Sequence, residues 1–181
     1  MKKIFTLVLL LTLICCSVFA QRDTYYSRNA SLTMYGHMGH EIIKLQSRQL
    51  NVMLDYESAC IMIRLPLNTL VSGVDSLNNL LKTSHGEIVF DGKLGLDYIS
   101  LENHPPLKFG FEGFLSANDC QTLVRGEGEL NHIGDRTGYA SMLGLCINLS
   151  FDDLGMPAPW PTMGNEFEVV ITQALLMRDK N

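Results

Sequence analysis

The chain is poor in cysteine, in charge and in long hydrophobic runs. Only five cysteines occur in 181 residues, and two of them, Cys15 and Cys16, fall within the first twenty. The remaining three, Cys60, Cys120 and Cys146, are too few and too odd in number for a disulfide framework. Cys60 and Cys146 stand in apolar runs, where a free thiol is expected to pack as a small hydrophobe. Beyond residue 20, no stretch approaches the roughly 20 apolar residues that a bilayer-spanning helix needs. The chain also has no internal repeat, no low-complexity tract and no linker, which excludes arrays and argues for a single domain.

The chemistry of catalysis is missing as well. No serine lies in a nucleophile elbow, and no cysteine is matched to a histidine by a known motif. Gly126-Glu127-Gly128 is followed by no helical pattern, so it is no phosphate cradle. His37 and His40 are three apart in a strand-like stretch, which puts them on opposite faces with no carboxylate or thiolate to complete a metal set. His132 is read as a turn residue bonded to nearby backbone. Neither a catalytic residue, a metal nor a cofactor is expected, and the chain is read as not an enzyme.

Two lysines, Lys2 and Lys3, precede an apolar run from Ile4 to Phe19 that ends in Val18-Phe19-Ala20. That pattern reads as a cleavable secretory signal, cut after Ala20; a lipid anchor on Cys15 or Cys16 is the rival reading, which large Ile14 before Cys15 disfavours. Residues 1–20 are therefore set apart from residues 21–181, the single domain. The expected location is periplasmic or secreted, with no stable membrane insertion after cleavage. Removing residues 1–20 takes away two lysines and no acid, leaving 12 basic against 19 acidic residues. This balance argues against nucleic acid as a partner.

Strict alternation is the strongest signal present. In Leu107–Leu115, Leu107, Phe109, Phe111 and Gly113 share a face while Lys108, Gly110 and Glu112 take the other. In Thr122–Leu130, Arg125, Glu127 and Glu129 recur at every second position. Ser116-Ala117-Asn118-Asp119 joins the two segments as a polar turn, so a β-hairpin is expected. Ser31–Gly36, Ile42–Leu54, Cys60–Leu67, Tyr139–Phe151 and Glu166–Met177 read as further strands. Gln21–Arg28 reads as a frayed lead-in, and Gly-containing His85–Leu96 as an irregular crossover. Leu77, Leu80 and Leu81 follow helical spacing within Val74–Lys82, with Asp75 or Ser76 as cap, and Asp97–Asn103 as a possible further helical turn. Arg64 and Arg125 are expected in solvent, and Trp160, in a proline-rich loop, over a barrel mouth. The expected class is all-β: an antiparallel, lipocalin-like barrel of about eight strands with one or two short helices. Closing the sheet removes its edges and leaves room for packed side chains or one small ligand.

The order of these features resembles the YceI-like family of exported, lipocalin-like lipid-binding proteins. Asp97-Tyr98-Ile99, then Pro105-Pro106, then the aromatic strand Leu107–Gly113 stand where that family runs from a helix through an Asp-Tyr-Leu type segment and a proline. Gly128–Thr137 is similar to its strand and histidine–glycine turn, with Ile133 inserted between His132 and Gly134. Asp152-Asp153-Leu154-Gly155-Met156-Pro157 is similar to its late loop, and His85 stands near its crossover histidine. The resemblance implies an elongated barrel whose apolar interior takes a long isoprenoid-like or acyl chain as partner. The lining expected from alternation is Leu50, Val52, Leu54, Ile61, Ile63, Leu65, Phe109, Phe111, Leu143, Leu145, Ile147, Phe167, Val169 and Ile171. A protein-interaction module with the same sheet and a filled core is the alternative.

Overall fold

The computed structural model describes residues 23–102, 104–117, 119–133, 140–155, 157–158 and 161–178. Residues 1–22, read in the sequence as carrying an export signal, and Asn118, Gly134–Thr137, Tyr139, Met156 and Trp160 lie outside these residues. Nine strands are described: β1 (Thr24–Met38), β2 (Glu41–Asp55), β3 (Cys60–Pro66), β4 (Val71–Ser72), β5 (Glu87–Leu94), β6 (Leu107–Ala117), β7 (Cys120–His132), β8 (Ser141–Ser150) and β9 (Met163–Arg178). One helix, α1 (Asp75–Thr83), and a 3-10 turn at Leu67–Thr69 lie between β3 and β5. All pairings are antiparallel. With β4 set aside, each strand pairs with its successor, and β1 pairs with both β2 and β9. The result is a closed, up-and-down barrel of eight strands.

Closure explains why the expected inward residues are buried together. Leu50, Val52 and Leu54 of β2, Ile61, Ile63 and Leu65 of β3, and Phe109 and Phe111 of β6 all point inward with little exposure. Glu112 and Arg125 face outward across the β6–β7 hairpin and form an ion pair of 3.1 Å; Arg64 pairs with Glu87 at 3.2 Å, also in solvent. Such exposed pairs contribute at most about 1 kcal/mol each. The apolar interior holds the molecule together.

Four readings of the sequence need correcting. Glu87–Leu94 is a full barrel strand, not a crossover. Its Gly92 sits opposite Gly113 of β6, and the Phe90 ring folds over both; a Cβ on Gly113 would lie 2.5 Å from the Asp91 carbonyl oxygen. Glycine is there because two backbones approach, not because the strand ends. Thr24–Arg28 is not a frayed lead-in but the start of β1, with Tyr25 and Ser27 buried. The described part of Asp97–Asn103 is not helical. In α1 the N-cap is Val74, without a side-chain cap, and Leu77 is buried while Leu80 is half exposed. Asn78 instead ties this helix to β4, donating from Nδ2 to the Ser72 carbonyl (2.9 Å) and accepting from the Ser72 N–H (2.7 Å).

The ends of the barrel differ. At one end, where β1, β3, β6 and β8 begin, the side chains of Leu54, Ile61, Leu94, Leu130, Leu143 and Leu176 are essentially inaccessible. Tyr25 and Tyr56 stack there with ring centroids 4.1 Å apart, and the Tyr56 hydroxyl bonds the buried Ser141 hydroxyl. Ile99 lies over this end, its N–H donating to the Tyr56 carbonyl at 2.8 Å. Burial pushes the Tyr56 phenol up to about 12 and also raises Tyr25. The folded state thus favours the protonated phenol. Its contribution is complete below pH 10, the unfolded value, and is lost as pH rises toward 12, about 3 kcal/mol in all. Chemical unfolding at pH 8, 10, 11 and 12 should show that decline, and Tyr56→Phe should flatten it. Because Ser141 then loses its partner, the same variant is expected to cost about 1–3 kcal/mol at neutral pH.

Candidate functional site

At the opposite end the interior does not fill. A cavity of about 80 Å³ lies between the walls, lined by Leu32 and Met34 of β1, Leu50 of β2, Ile63 and Leu65 of β3, Ile88 and Phe90 of β5, Phe111 and Leu115 of β6, Leu145, Ile147 and Leu149 of β8, Leu154 of the following turn, and Phe167, Val169 and Ile171 of β9. Every lining side chain is apolar. A space with such walls disfavours water and offers dispersion contacts to hydrocarbon.

The hollow has identifiable causes. The Phe111 ring lies over Gly126 of β7, in the space a Cβ there would need, and meets Phe90 edge-on at 5.5 Å, so bulky side chains on β5 and β6 are turned along the wall. On the opposite wall, β1, β2 and β9 each carry an irregularity: between Ser27 and Leu32 of β1, at Arg48-Gln49 of β2, and at Thr172-Gln173 of β9. Each extra residue shifts inward parity by one and bends its strand. Inward positions of β9 are Phe167, Val169 and Ile171 above the bend, and Ala174 and Leu176 below it. Below the bends the walls converge into the packed end; above them they part.

The structure divides the expected lining into two groups. Leu50, Ile63, Leu65, Phe111, Leu145, Ile147, Phe167, Val169 and Ile171 surround the cavity. Val52, Leu54, Ile61, Phe109 and Leu143 are buried in the core away from it. Seven cavity residues were outside the expected set: Leu32, Met34, Ile88, Phe90, Leu115, Leu149 and Leu154. Leu32, Met34, Leu115 and Leu149 alternate in phase on strands the sequence already indicated and could have been found by extending those patterns; Ile88 and Phe90 lie on β5, the stretch read as a crossover. Leu154 could not be found that way, because it comes from a turn.

That turn is closed by hydrogen bonds within itself and to β9. The Asp153 carboxylate accepts from the Ser150 N–H (2.7 Å) and hydroxyl (2.8 Å), and Ser150 Oγ accepts in return from the Asp153 N–H (3.2 Å). Asn165 of β9 donates to Asp152 at 2.9 Å. Gly155 takes a positive φ of 62° and packs against Cys120. Leu154 is thereby held at the cavity mouth, 3% exposed.

No family model matches the chain, and no curated protein matches it. Among solved structures, one shares this fold over most of the chain. It is that of a polyisoprenoid binding domain from Saccharophagus degradans implicated in plant cell wall breakdown, similar to this chain with a TM-score of 0.63 and covering 88% of this chain and all of the other. The chain shares its barrel with a YceI-like polyisoprenoid-binding domain. At 9% identity the likeness is one of fold.

Other residues singled out in the sequence lie away from the cavity. His37 and His40 are exposed at the β1–β2 turn, and among the described residues no three His, Cys, Asp or Glu side chains converge on a metal position. His132 is the last residue of β7, its ring edge-on to His104 at 5.6 Å; the turn expected after it falls on residues outside those described. His85 is exposed. The three cysteines are free thiols. Contrary to the expectation of apolar packing, Cys60 is exposed and Cys146 faces outward, donating to Glu168 Oε1 at 3.3 Å. Burial, then the Glu168 carboxylate, raises its pKa.

Proposed function

We propose that this is an exported protein that sequesters or carries a long-chain hydrophobic molecule, isoprenoid-like or acyl, in the upper half of its barrel. The observation that carries the reading is an interior hollow with no polar side chain on its walls. The N-terminal pattern of residues 1–20 supports export, and the fold match supports the class of ligand. Each methylene moved out of water contributes about 0.8 kcal/mol, so such a chain needs neither metal nor covalent chemistry to be held. The cavity is small beside the roughly 300–1,000 Å³ of common ligand sites. Admitting a long chain therefore requires lining side chains to rotate. Met34, Ile88 and Ile147 are the partly exposed members, and the unbranched thioether of Met34 is the most adaptable.

Native mass spectrometry and solvent extraction of the protein, exported and purified from a bacterial host, test this reading. A bound species with a prenyl or acyl tail is expected. Ligand-free protein that also takes up neither retinol nor palmitate would overturn it. A second reading, an interaction module, is favoured by one observation: Phe114 and Leu123 face each other on the outer surface, each half exposed. Capture of a protein partner that is lost in Phe114→Ser, with no lipid in the barrel, would favour it.

A further inference from the structure

The barrel wall is not paired along its whole height. Between β7 and β8 the ladder runs from His132↔Ser141 to Glu127↔Cys146 and stops, although β7 continues to Cys120 and β8 to Ser150. Successive residues of a strand turn their backbone N–H and C=O groups to alternate sides. Every second residue of Cys120–Gly126 and Ile147–Leu149 therefore presents polar backbone to this split, where no strand among the described residues meets it; the Ser150 N–H is already taken by the Asp153 carboxylate. Ile147, inward by parity and on the cavity wall, is partly exposed beside the split.

A second divergence shows what a sealed split looks like. The β2–β3 ladder spans only Asn51↔Arg64 to Leu54↔Ile61. Above it, β4 pairs with Leu45 and Gln46 of β2, the Ser47 hydroxyl bonds Thr69 at 2.7 Å, and α1 buries Leu77. Across the β7–β8 split, by contrast, the described residues place only the turn at 151–155. Its hydrogen bonds run within itself and to Asn165 of β9. Toward β7 it offers Gly155 against Cys120, a contact between apolar surfaces. The turn can part from β7 without breaking a hydrogen bond that the described residues make, at the cost of withdrawing one leucine, Leu154, from the cavity mouth.

We infer that the β7–β8 split is the portal through which the hydrophobic ligand enters and leaves, with Leu154 as its gate, and that the ligand's polar end stays in the split on the unpaired backbone of β7 and β8. This rests on the carrier reading and refines it. The ligand is an amphipathic lipid, its tail in the apolar chamber and a hydrogen-bonding head at the wall. The apolar chamber could not accept that head without leaving it unpartnered.

The probe is retinol, an isoprenoid alcohol whose fluorescence rises in apolar surroundings. Stopped-flow mixing with the full chain, purified after export, gives both rate constants. Leu154→Ala should accelerate uptake about tenfold and release by more than that, because a cavity-wall leucine is lost together with the gate. Leu77→Ala, on the sealed side, should lower thermal stability and leave both rates within about twofold. In the unsubstituted protein, retinol should slow amide exchange in 122–125 and 147–149 more than in the β2–β4 pairing. Rates for Leu154→Ala within about twofold of the parent, or protection concentrated at β2–β4, would overturn the portal while leaving the carrier reading intact. If Leu154→Ala fails to fold, the exchange experiment alone decides. A parent protein that takes up no retinol is a different result: the carrier reading falls, and the portal with it.

Discussion

Gly113→Ala is expected to destabilise the barrel by about 3 kcal/mol, lowering the melting temperature by roughly 6–12 °C for a domain of this size. A Cβ at this position meets backbone on two sides, the Gly92 Cα and the Asp91 carbonyl oxygen, and the Phe90 ring at 2.8 Å closes the third. Backbone cannot rotate away as a side chain can. The ring can move only by giving up its seat over Gly92 and its edge-on contact with Phe111. Gly110, on the same strand but facing out, is the control. The nearest atom to a Cβ there is the Gly126 carbonyl oxygen at 3.8 Å, so Gly110→Ala should be neutral or gain about 0.5 kcal/mol from a less mobile unfolded chain. Thermal unfolding of both variants is the measurement. Equal shifts would mean that the close approach of β5 and β6 does not set the wall's curvature.

That glycine pair also shows where a sequence stops being legible. Gly86, Gly92 and Gly95 look like punctuation, and punctuation is what a crossover has. In the fold Gly92 is the inward residue of a strand whose missing side chain is supplied by Phe90, two residues away. Nothing local distinguishes those cases, because the filling atoms depend on how strands tilt. The strands with a clean two-residue period were readable without help. Leu50, Val52 and Leu54 of β2, Phe109 and Phe111 of β6, and Phe167, Val169 and Ile171 of β9 all face inward as their alternation required.

Parity says which way a side chain points, but not how far away the facing wall is. The bends in β1, β2 and β9 make Leu143 and Leu145, neighbours on one face of β8, behave differently. The first is packed to zero exposure in the closed half; the second borders the hollow. Leu154 was beyond the reach of periodicity altogether. Its position comes from the reciprocal Ser150–Asp153 hydrogen bonds and the positive φ of Gly155. These are turn features that appear in the sequence only as an acidic, glycine-containing loop.

The division of the interior into a packed half and a hollow half leads to a crossed pair of outcomes. Val169 is 8% exposed, borders the cavity, and lies opposite Met34 of β1 and Ile147 of β8. Val169→Phe places a ring in the cavity and not against packed protein atoms, so its stability cost should stay below about 1.5 kcal/mol. The ring would exclude about four methylenes of a bound chain. At about 0.8 kcal/mol each this weakens retinol binding by roughly 100-fold or more. Leu143→Ala should do the reverse. It empties a fully buried position in the closed half, costing about 2–5 kcal/mol, yet removes no cavity wall, so the retinol Kd should stay within about threefold. Chemical unfolding and fluorescence titration on both variants give the four numbers. Retinol bound by Val169→Phe as tightly as by the parent would place the ligand outside this cavity. A Kd that worsens in step with stability in both variants would mean that the two halves act as one core.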